Sequence, residues 1–341
     1  MQIERLLIAG HGSIGQRHLR ISRSLLPNAD IRVLRRQKCE SVPEYADGCI
    51  SSLDEALAFA PQAAVIASPS PFHMETAQPL AEVGVHLLVE KPLAASLDGV
   101  SQLITTCAAC GNVLMTAYNL RFMPSLQQYR NLIQSGHIGR VLSVRCDTGQ
   151  YLPSWRPGSD YRQGVSAART LGGGVLLELS HEIDYLRWIF GKVIWVRAAL
   201  SRQSDLEIDV EDTAHLILGF ETDENGRKLI ANLNMDFVRQ DTTRQCLAIG
   251  ERGSLRWNGL TGTVEFFTAG GSEWAQVYAH PPQRDESYTA EWGHFLDCIC
   301  DRATPLINGQ DGLAVLNIIE AARHSASAND AISVAAMESG T

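Results

Sequence analysis

A lysine that could transfer a proton stands at the end of an apolar run. Residues 85–89 (VHLLV) predict a buried strand, and Glu90-Lys91-Pro92 follows it directly. A lysine at such a strand end is partly removed from water, which makes its amine usable as a proton donor or acceptor. The alternative is a side chain that simply extends to solvent. Lys91 is therefore the first candidate for a catalytic residue.

A second group of ionisable residues follows three consecutive glycines. Gly172-Gly173-Gly174 precedes Glu178, His181 and Asp184, which are spaced three residues apart. On a single helix this spacing places the side chains on one face, so an imidazole flanked by two carboxylates is oriented for proton exchange. We predict that these three residues are catalytic. The alternatives are that His181 caps a helix or lies in the core, and that Asp184 is the structural partner of a neighbouring helix.

A glycine-rich turn lies between a predicted strand and a predicted helix near the N-terminus. Residues 5–8 (RLLI) form a short run that is apolar after Arg5, GHGSIG occupies 10–15, and a stretch with helical periodicity follows. In a dinucleotide-binding turn the three glycines permit a tight turn, close approach of a pyrophosphate and helix packing, and the helix N-terminus binds the phosphates. The alternative is an ordinary strand–helix turn. The predicted cofactor contacts are Gly10, Gly12, Ser13, Ile14 and Gly15.

The end of the second predicted strand indicates which dinucleotide binds. IRVL (31–34) is followed by Arg35 and Arg36, and no carboxylate lies between Asp30 and Glu40. An NAD site usually holds a carboxylate here for the ribose hydroxyls, whereas a guanidinium binds a 2′-phosphate. NADP(H) is therefore the favoured cofactor and NAD(H) the alternative. The competing interpretation of the two arginines is a solvated basic turn.

These residues need a scaffold, and the first 120 residues predict one in which strands and helices alternate. Predicted strands at 63–67, 85–92 and 112–118 are mostly apolar along their length, as in a parallel sheet covered on both faces. Ligands of such sheets bind beyond the carboxyl ends of the strands. The residues predicted there to bind the cofactor are Ser68, Pro69, His73, Glu90, Lys91 and Asn119.

The second half of the chain predicts further strands and a long loop. Residues 212–220 and 228–237 alternate apolar and polar side chains, which predicts strands with one buried face. A loop as long as 151–169 is more often a binding loop than a spacer, and its aromatic and cationic side chains suit a polyol with an acidic group. The alternative is that the aromatic rings only anchor the loop. The predicted substrate contacts in it are Tyr151, Trp155, Tyr161 and Arg162.

The composition disfavours several classes of protein. Hydrophobic residues make up 45% of the 341 residues, enough for real cores, and the formal net charge of −9 disfavours nucleic-acid and membrane partners. The N-terminus shows no signal-peptide pattern, so we expect a cytoplasmic protein whose eight cysteines are reduced. Cys107 and Cys110 form a CxxC without a second pair at zinc spacing, and we predict no metal site.

The chain resembles the Gfo/Idh/MocA oxidoreductases, the family of glucose-fructose oxidoreductase and inositol dehydrogenase, in four motifs. These are GHGSIG at 10–15, EKP at 90–92, YNLRFMP at 118–124 and GGGVLLELSHEID at 172–184. The resemblance implies an α/β fold with an N-terminal Rossmann domain, a doubly wound parallel sheet, in residues 1–120. It also implies a C-terminal α/β domain with a large, mostly antiparallel open sheet in residues 121–341, for substrate binding and oligomerisation.

The resemblance further implies an activity. Family members transfer a hydride between a nicotinamide and a carbinol or keto carbon of a sugar, sugar acid, nucleotide sugar or cyclitol. Lys91, whose peptide bond to proline is often cis in the family, is then the proton-transfer group, and His181 assists it. The commoner family pattern has Asp at the position of Glu178 and His four residues later, so this chain departs from it there. The implied substrate contacts also include Lys91, Arg121 and His181, and the implied assembly is a homodimer or homotetramer.

Two other functions stay open at this point. An NAD-dependent glycoside hydrolase on the same scaffold oxidises its sugar only transiently and shows no net cofactor turnover. A non-enzymatic regulator senses a dinucleotide or a sugar through the same fold, but it has no need to keep both Lys91 and His181.

Overall fold

The computed structural model describes residues 3–35 and 41–338, and its internal contacts divide the chain into two units. The first unit contains Met1–Asn119 and Ser287–Leu316, and the second contains Leu120–Glu286 and Asn317–Thr341. The division predicted at residue 120 placed Ser287–Leu316 in the second domain, whereas the contacts of this segment group it with the first unit.

The first unit contains a parallel sheet with helices between its strands. Its elements before residue 120 are β1 Arg5–Ala9, α1 Ser13–Leu25, β2 Asp30–Leu34, β3 Gly48–Ile50, α2 Leu53–Phe59, β4 Ala63–Ile66, α3 His73–Glu82, β5 His86–Glu90, α4 Val100–Cys110 and β6 Leu114–Ala117. The strand order is β3-β2-β1-β4-β5-β6, and every pair is parallel. The order reverses between β1 and β4, and ligands of such sheets bind at the carboxyl ends of the strands beside this point.

The sheet of the first unit forms because its strands are apolar along their length. Every residue of β4 and β6 is buried, and so is β1 after Arg5. Continuous burial is what a sheet with helices on both faces requires. The predicted strands at 63–67, 85–92 and 112–118 are found as β4, β5 and β6, and only the three-residue β3 was not predicted.

The rest of the chain begins with a helix and continues mainly with strands. Its elements are α5 Pro124–Gln134, β7 Val141–Gly149, α6 Val175–Glu178, α7 His181–Phe190, β8 Val193–Ser201, β9 Thr213–Phe220, β10 Ile230–Asp236, β11 Thr243–Gly250, β12 Gly253–Asn258, β13 Thr263–Thr268, β14 Ala275–Ala279, α8 Glu286–Ile299, α9 Gly309–Ala328, β15 Ile332–Ser333 and α10 Ala335–Glu338. The strands form one nine-stranded sheet in the order β14-β13-β12-β11-β7-β10-β9-β8-β15. Only β7 and β10 pair in parallel.

Strand β10 shows why this sheet is buried on one face. Ala231, Leu233 and Met235 are fully buried, whereas Ile230 before them and Asn232 between them are exposed. This alternation confirms the period-two prediction. With the parallel sheet of the first unit, it also confirms the predicted fold class.

Cysteine chemistry differs from the prediction at one position. The free thiols among the described residues are Cys107, Cys110, Cys146, Cys246, Cys298 and Cys300. Cys49 in β3 is disulfide-bonded, so the expectation that every cysteine is reduced is wrong there. Within residues 3–35 and 41–338, no helix is long and apolar enough to cross a membrane, and no cluster of three metal-ligating side chains is present.

Candidate active site

The glycine turn predicted to bind a dinucleotide lies between β1 and α1. Gly10 has a φ of +105°, and a Cβ atom there would lie 2.6 Å from the carbonyl carbon of Ala67. A Cβ atom on Gly15 would collide with the carbonyl oxygen of Gly10, so only glycine lets the helix pack against the turn. On Gly12, in contrast, a Cβ atom would meet no described atom within 4 Å. The turn is therefore closed at its outer glycines and open where the pyrophosphate is predicted to approach.

The first turn of α1 carries donors suited to a phosphate. Its N-cap residue Gly12 has no side chain to accept from the first N–H groups, and no acidic residue lies in the first turn. These N–H groups have no intrahelical partner and form the positive end of the helix dipole. Ser13, at the start of the helix, is exposed, and Ile14 is half-buried. The backbone of this turn is therefore available to an anion.

A buried hydroxyl beside the turn also fits a bound dinucleotide. Ser68 follows β4, and a Cβ atom on Gly10 would lie 2.7 Å from its backbone nitrogen. The Ser68 Oγ atom is buried and has no hydrogen-bond partner among the described residues. A buried hydroxyl without a partner is costly, and a ligand atom at this edge would satisfy it. The residues present thus fit a nicotinamide dinucleotide.

Arg35 lies beside the same turn because β1 and β2 are adjacent and parallel. The backbone N–H of Gly10 donates to the carbonyl of Leu34 at 3.0 Å, and Arg35 is the next residue. The pKa of His11, inside the turn, is lowered by burial and then by the positive charge of Arg35. The sequence argument did not single out His11. The second predicted phosphate contact, Arg36, lies outside the described residues.

His73 lies between two backbone carbonyl groups near the ends of β4 and β5, and in the neutral ring only one of its two nitrogens donates. Its Nε2 lies 2.7 Å from the carbonyl oxygen of Ser68, and its Nδ1 lies 3.2 Å from that of Leu93. The side chain is buried, with 1% of the residue exposed. The ring therefore lies between the carbonyl groups of Ser68, after β4, and Leu93, after Lys91-Pro92, and its contact with a cofactor stays a prediction.

We expect the protein to lose stability in mild acid through His73. Burial lowers the pKa of this imidazole from its ordinary value of 6.5, so below that pH the unfolded chain binds a proton that the folded chain does not. The free energy of unfolding should then fall by about 1.4 kcal/mol per pH unit from this residue. Urea unfolding at several pH values should show a shallower fall in His73→Gln, which cannot take up this proton.

The control for this measurement is His324→Gln, a change at an exposed histidine in α9. It should leave the pH dependence of the unfolding free energy as in the wild type. An unchanged slope in His73→Gln would contradict the assignment of a buried neutral imidazole.

Lys91 follows β5 at the carboxyl edge of the sheet and is half-buried. Its peptide bond to Pro92 is cis, as the family resemblance implied. Glu90, predicted to bind the cofactor, is 7% exposed, and both its carboxylate oxygens are engaged within the first unit. One lies 2.7 Å from His18 Nε2 and the other accepts from the Lys91 backbone N–H at 3.0 Å. Glu90 therefore contacts the backbone of Lys91, and its contact with a cofactor stays a prediction.

Two other predicted cofactor contacts flank this edge. Asn119 follows β6, is 6% exposed and donates from Nδ2 to the hydroxyl of Ser287 at 2.8 Å. Pro69 is half-buried and precedes the short 3₁₀ turn Ser70–Phe72. Their contact with a cofactor stays a prediction.

The residues predicted to share one helical face belong to two helices. Helix α6 ends at Glu178 and α7 begins at His181, because the backbone leaves helical geometry at Leu179 (φ −102°, ψ 25°). The prediction of one continuous helix is therefore wrong. Glu178 accepts a hydrogen bond from the hydroxyl of Ser166 at 3.0 Å, and His181 is 9% exposed in the first turn of α7.

Asp184 and Arg121 form a buried bidentate ion pair. Arg121 Nε lies 2.9 Å from one carboxylate oxygen of Asp184, and Nη2 lies 2.6 Å from the other. Their side chains are only 3% and 1% exposed. Arg121 was predicted to bind substrate; its guanidinium is engaged with Asp184 on α7, and a contact with substrate stays a prediction. For Asp184 the geometry favours the structural alternative over a catalytic role.

The long loop at 151–169 is held largely by its own side chains. Trp155 packs edge-on against Phe237, with ring centroids 5.1 Å apart, and its indole N–H donates to the carbonyl of Gln150. The Tyr161 hydroxyl accepts from the backbone N–H of Glu207, and Arg162 pairs with Asp160 and Glu207; these contacts are on the surface. The anchoring alternative is thus favoured for these three residues. Tyr151 is half-buried at the start of the loop.

Sequence reasoning missed an ion pair next to His181 whose carboxylate is buried. Glu182 is fully buried, and Arg244 at the start of β11 donates to it from Nε at 2.8 Å. The two residues are 62 positions apart, and no local pattern marks Glu182 as buried or Arg244 as its partner. The pair fixes the first turn of α7 to the nine-stranded sheet.

Two models of known protein families match the chain. The one described as "Oxidoreductase family, NAD-binding Rossmann fold" matches residues 5–118. The one described as "Oxidoreductase family, C-terminal alpha/beta domain" matches residues 130–334. Together these matches cover most of both units.

Individual proteins are similar over nearly the whole chain. The uncharacterized oxidoreductase YrbE of Bacillus subtilis is 28% identical and the match covers 93% of each chain. The inositol 2-dehydrogenase of Rhizobium meliloti is 26% identical, with 97% of this chain and 99% of that one covered. The structure of a levoglucosan dehydrogenase in complex with NADH superposes with a TM-score of 0.83 at 21% identity, over 97% of this chain and 98% of that one. The last comparison shows a shared fold.

Proposed function

Because this chain belongs to the Gfo/Idh/MocA family of oxidoreductases, we propose that it transfers a hydride between a nicotinamide dinucleotide and a carbinol or keto carbon of a sugar or cyclitol. It is an NAD(P)-dependent dehydrogenase or reductase. Its relatives include an inositol dehydrogenase and a levoglucosan dehydrogenase, which supports this class of substrate. The observation that carries the proposal is that the open turn at Gly12 and the end of β5 at Lys91 lie at the carboxyl edge of one parallel sheet.

Lys91 is proposed to move the proton. When bound, the nicotinamide supplies the hydride acceptor or donor. In the oxidative direction, the neutral amine of Lys91 takes the hydroxyl proton as the hydride leaves the carbinol carbon, and the substrate becomes a carbonyl compound. In the reductive direction, the ammonium returns the proton to the carbonyl oxygen. We propose that His181 assists by hydrogen bonding to the same oxygen.

The predicted substrate-binding arginines do not indicate whether the substrate carries a negative charge. Arg121 is engaged with Asp184 in the buried pair, and Arg162 is engaged with Asp160 and Glu207 at the surface. Neither guanidinium therefore favours a sugar acid or nucleotide sugar over a neutral sugar. We retain Tyr151 as a proposed substrate contact.

The proposed function is tested with a panel of sugars, sugar acids, nucleotide sugars and cyclitols, each offered with NAD⁺ and with NADP⁺. The proposal expects at least one compound to produce reduced nicotinamide in proportion to the substrate consumed. Cleavage of a glycosidic bond without net cofactor reduction would favour the glycoside hydrolase instead. Cofactor binding without turnover of any compound would favour the regulator.

We also propose that NADP(H) is the preferred cofactor. The support is the position of Arg35 beside the glycine turn, where its charge reaches His11, and the absence of a carboxylate from residues 31–39. A 2′-phosphate there gains an ionic attraction to the guanidinium in addition to hydrogen bonds, whereas the neutral ribose hydroxyl of NAD can only accept a hydrogen bond.

The nine-stranded sheet is proposed to mediate a homodimer or homotetramer. The face opposite its buried side carries the apolar side chains of Ile217 and Ile230, which are 38% and 42% exposed in the single chain. Burial of such a face against a second copy would remove them from water. Analytical ultracentrifugation should show an oligomer that Ile217→Lys weakens; a monomeric wild type would contradict the proposal.

A further inference from the structure

A buried histidine lies behind the strand end that carries Lys91. His18 is in α1, the helix that follows the glycine turn, and is 0% exposed. The indole N–H of Trp292 donates to His18 Nδ1 at 2.9 Å, and Nε2 lies 2.7 Å from Glu90 Oε1. An indole nitrogen can only donate, so Nδ1 must be the acceptor and Nε2 must carry the proton. His18 is therefore held in the Nε2–H tautomer and donates to Glu90.

Glu90 connects His18 to the backbone of Lys91. Its second oxygen, Oε2, accepts from the backbone N–H of Lys91 at 3.0 Å. Trp292 thus donates to His18, His18 donates to Glu90, and the Lys91 backbone donates to Glu90. The side chains of Trp292, His18 and Glu90 are all buried. Tyr288 closes the cluster, with its ring edge-on to His18 and the guanidinium of Arg17 over its face.

We propose that His18 is a positioning residue for Lys91. Its Nε2–H donates to the Glu90 carboxylate and fixes it, and this carboxylate orients the backbone of Lys91. A residue of α1 therefore helps to set the position of the proton-transfer amine. The inference rests on the proposed role of Lys91. Geometry of this kind matters because a misplacement of about 1 Å in a reacting group can cost about 100-fold in rate.

Two substitutions of His18 separate positioning from packing. In His18→Gln the side-chain amide can place an N–H near the former Nε2 and still donate to Glu90. In His18→Asn the amide oxygen can accept from Trp292, but the side chain is too short to reach Glu90. Both changes remove the ring and leave a buried amide, so a purely structural role predicts similar effects from both.

We expect a large loss of turnover in His18→Asn but not in His18→Gln. His18→Asn should lower kcat by about 10- to 100-fold, while KM and the cofactor Kd change less than about threefold. His18→Gln should recover kcat to within about threefold of the wild type. Equal losses of kcat in the two variants would overturn the inference.

A second readout reports on the surroundings of the Lys91 amine and does not depend on enzyme activity. The chain has four lysines, so reductive ¹³C-methylation gives one dimethylamine signal for each besides that of the N-terminal amine, and Lys91→Arg identifies the signal of Lys91. In the otherwise unliganded protein, His18→Asn should shift the Lys91 signal and leave those of Lys192 and Lys228 in place. His18→Gln should keep the Lys91 signal near its wild-type position. A Lys91 signal that does not move in His18→Asn would overturn the inference.

The two readouts distinguish the inference from the function on which it rests. If the Lys91 signal moves in His18→Asn but Lys91→Met stays active, the positioning of Lys91 stands and its role in proton transfer fails. If Lys91→Met is inactive and the signal does not move, the proposed function stands and His18 has no positioning role.

Discussion

Lys91→Met is expected to lower turnover by about 10²- to 10⁴-fold, which is the usual loss when a general acid–base group is removed. Methionine retains a long unbranched side chain at the end of β5, so the strand and the cis peptide bond should form as before. Dinucleotide affinity should stay close to that of the wild type, because the glycine turn and the helix N-terminus are untouched. The measurement is steady-state kinetics with the best compound of the panel, together with calorimetric titration of the cofactor.

Lys228→Met is the matched control, since Lys228 is an exposed lysine of the second unit. It should retain full turnover. If Lys91→Met kept more than a third of the wild-type activity, the assignment of Lys91 as the proton-transfer residue would be wrong.

Arg35→Asp is expected to reverse the cofactor preference. A guanidinium facing a 2′-phosphate contributes roughly 1.5–3 kcal/mol, so the wild type should bind NADP(H) at least about tenfold more tightly than NAD(H). In the variant the carboxylate repels the phosphate and can accept from the ribose hydroxyls, so NAD(H) should become the tighter ligand. The wild-type preference should also shrink at high salt, because Arg35 lies at the rim of the site.

Isothermal titration of both cofactors into the wild type and the variant measures this preference. Arg302→Asp changes the net charge of the same unit equally at a side chain that is 72% exposed, and it should leave the preference unchanged. Equal affinities in the wild type, or tighter binding of NAD, would rule out the NADP preference and leave the dehydrogenase itself untouched.

The parts of the site that depend on local sequence could be predicted. Gly10 is required because the backbone there passes close to Ala67, and Gly15 is required because α1 packs on the turn. The spacing of the glycines in the motif reflects both requirements. Lys91 could be placed at the sheet edge because the apolar run before it marks a buried strand. The packing at Gly15 and the apolar run before Lys91 involve residues that are close in sequence, whereas Ala67, which Gly10 approaches, is distant and could be anticipated only through the glycine motif itself.

The parts that depend on distant residues could not be predicted. Arg121 and Asp184 are 63 positions apart, and His18 and Glu90 are 72 apart, so no spacing indicates that each pair meets. The position of a polar residue next to a motif therefore does not distinguish a contact with a ligand from a contact with another part of the fold. The helix break at Leu179 was missed for a different reason: the sequence there has neither proline nor glycine.

The central claim is that a hydride leaves a carbinol carbon of the substrate and is retained by the cofactor. The most direct test uses a substrate from the panel that is deuterated at that carbon, with mass spectrometry of the dinucleotide after turnover. The account predicts one deuterium in each reduced nicotinamide and a product that has lost it, with the transfer slowed in Lys91→Met. A cofactor that stays unlabelled while the sugar is cleaved and keeps its deuterium, or that is bound without reaction, would contradict it.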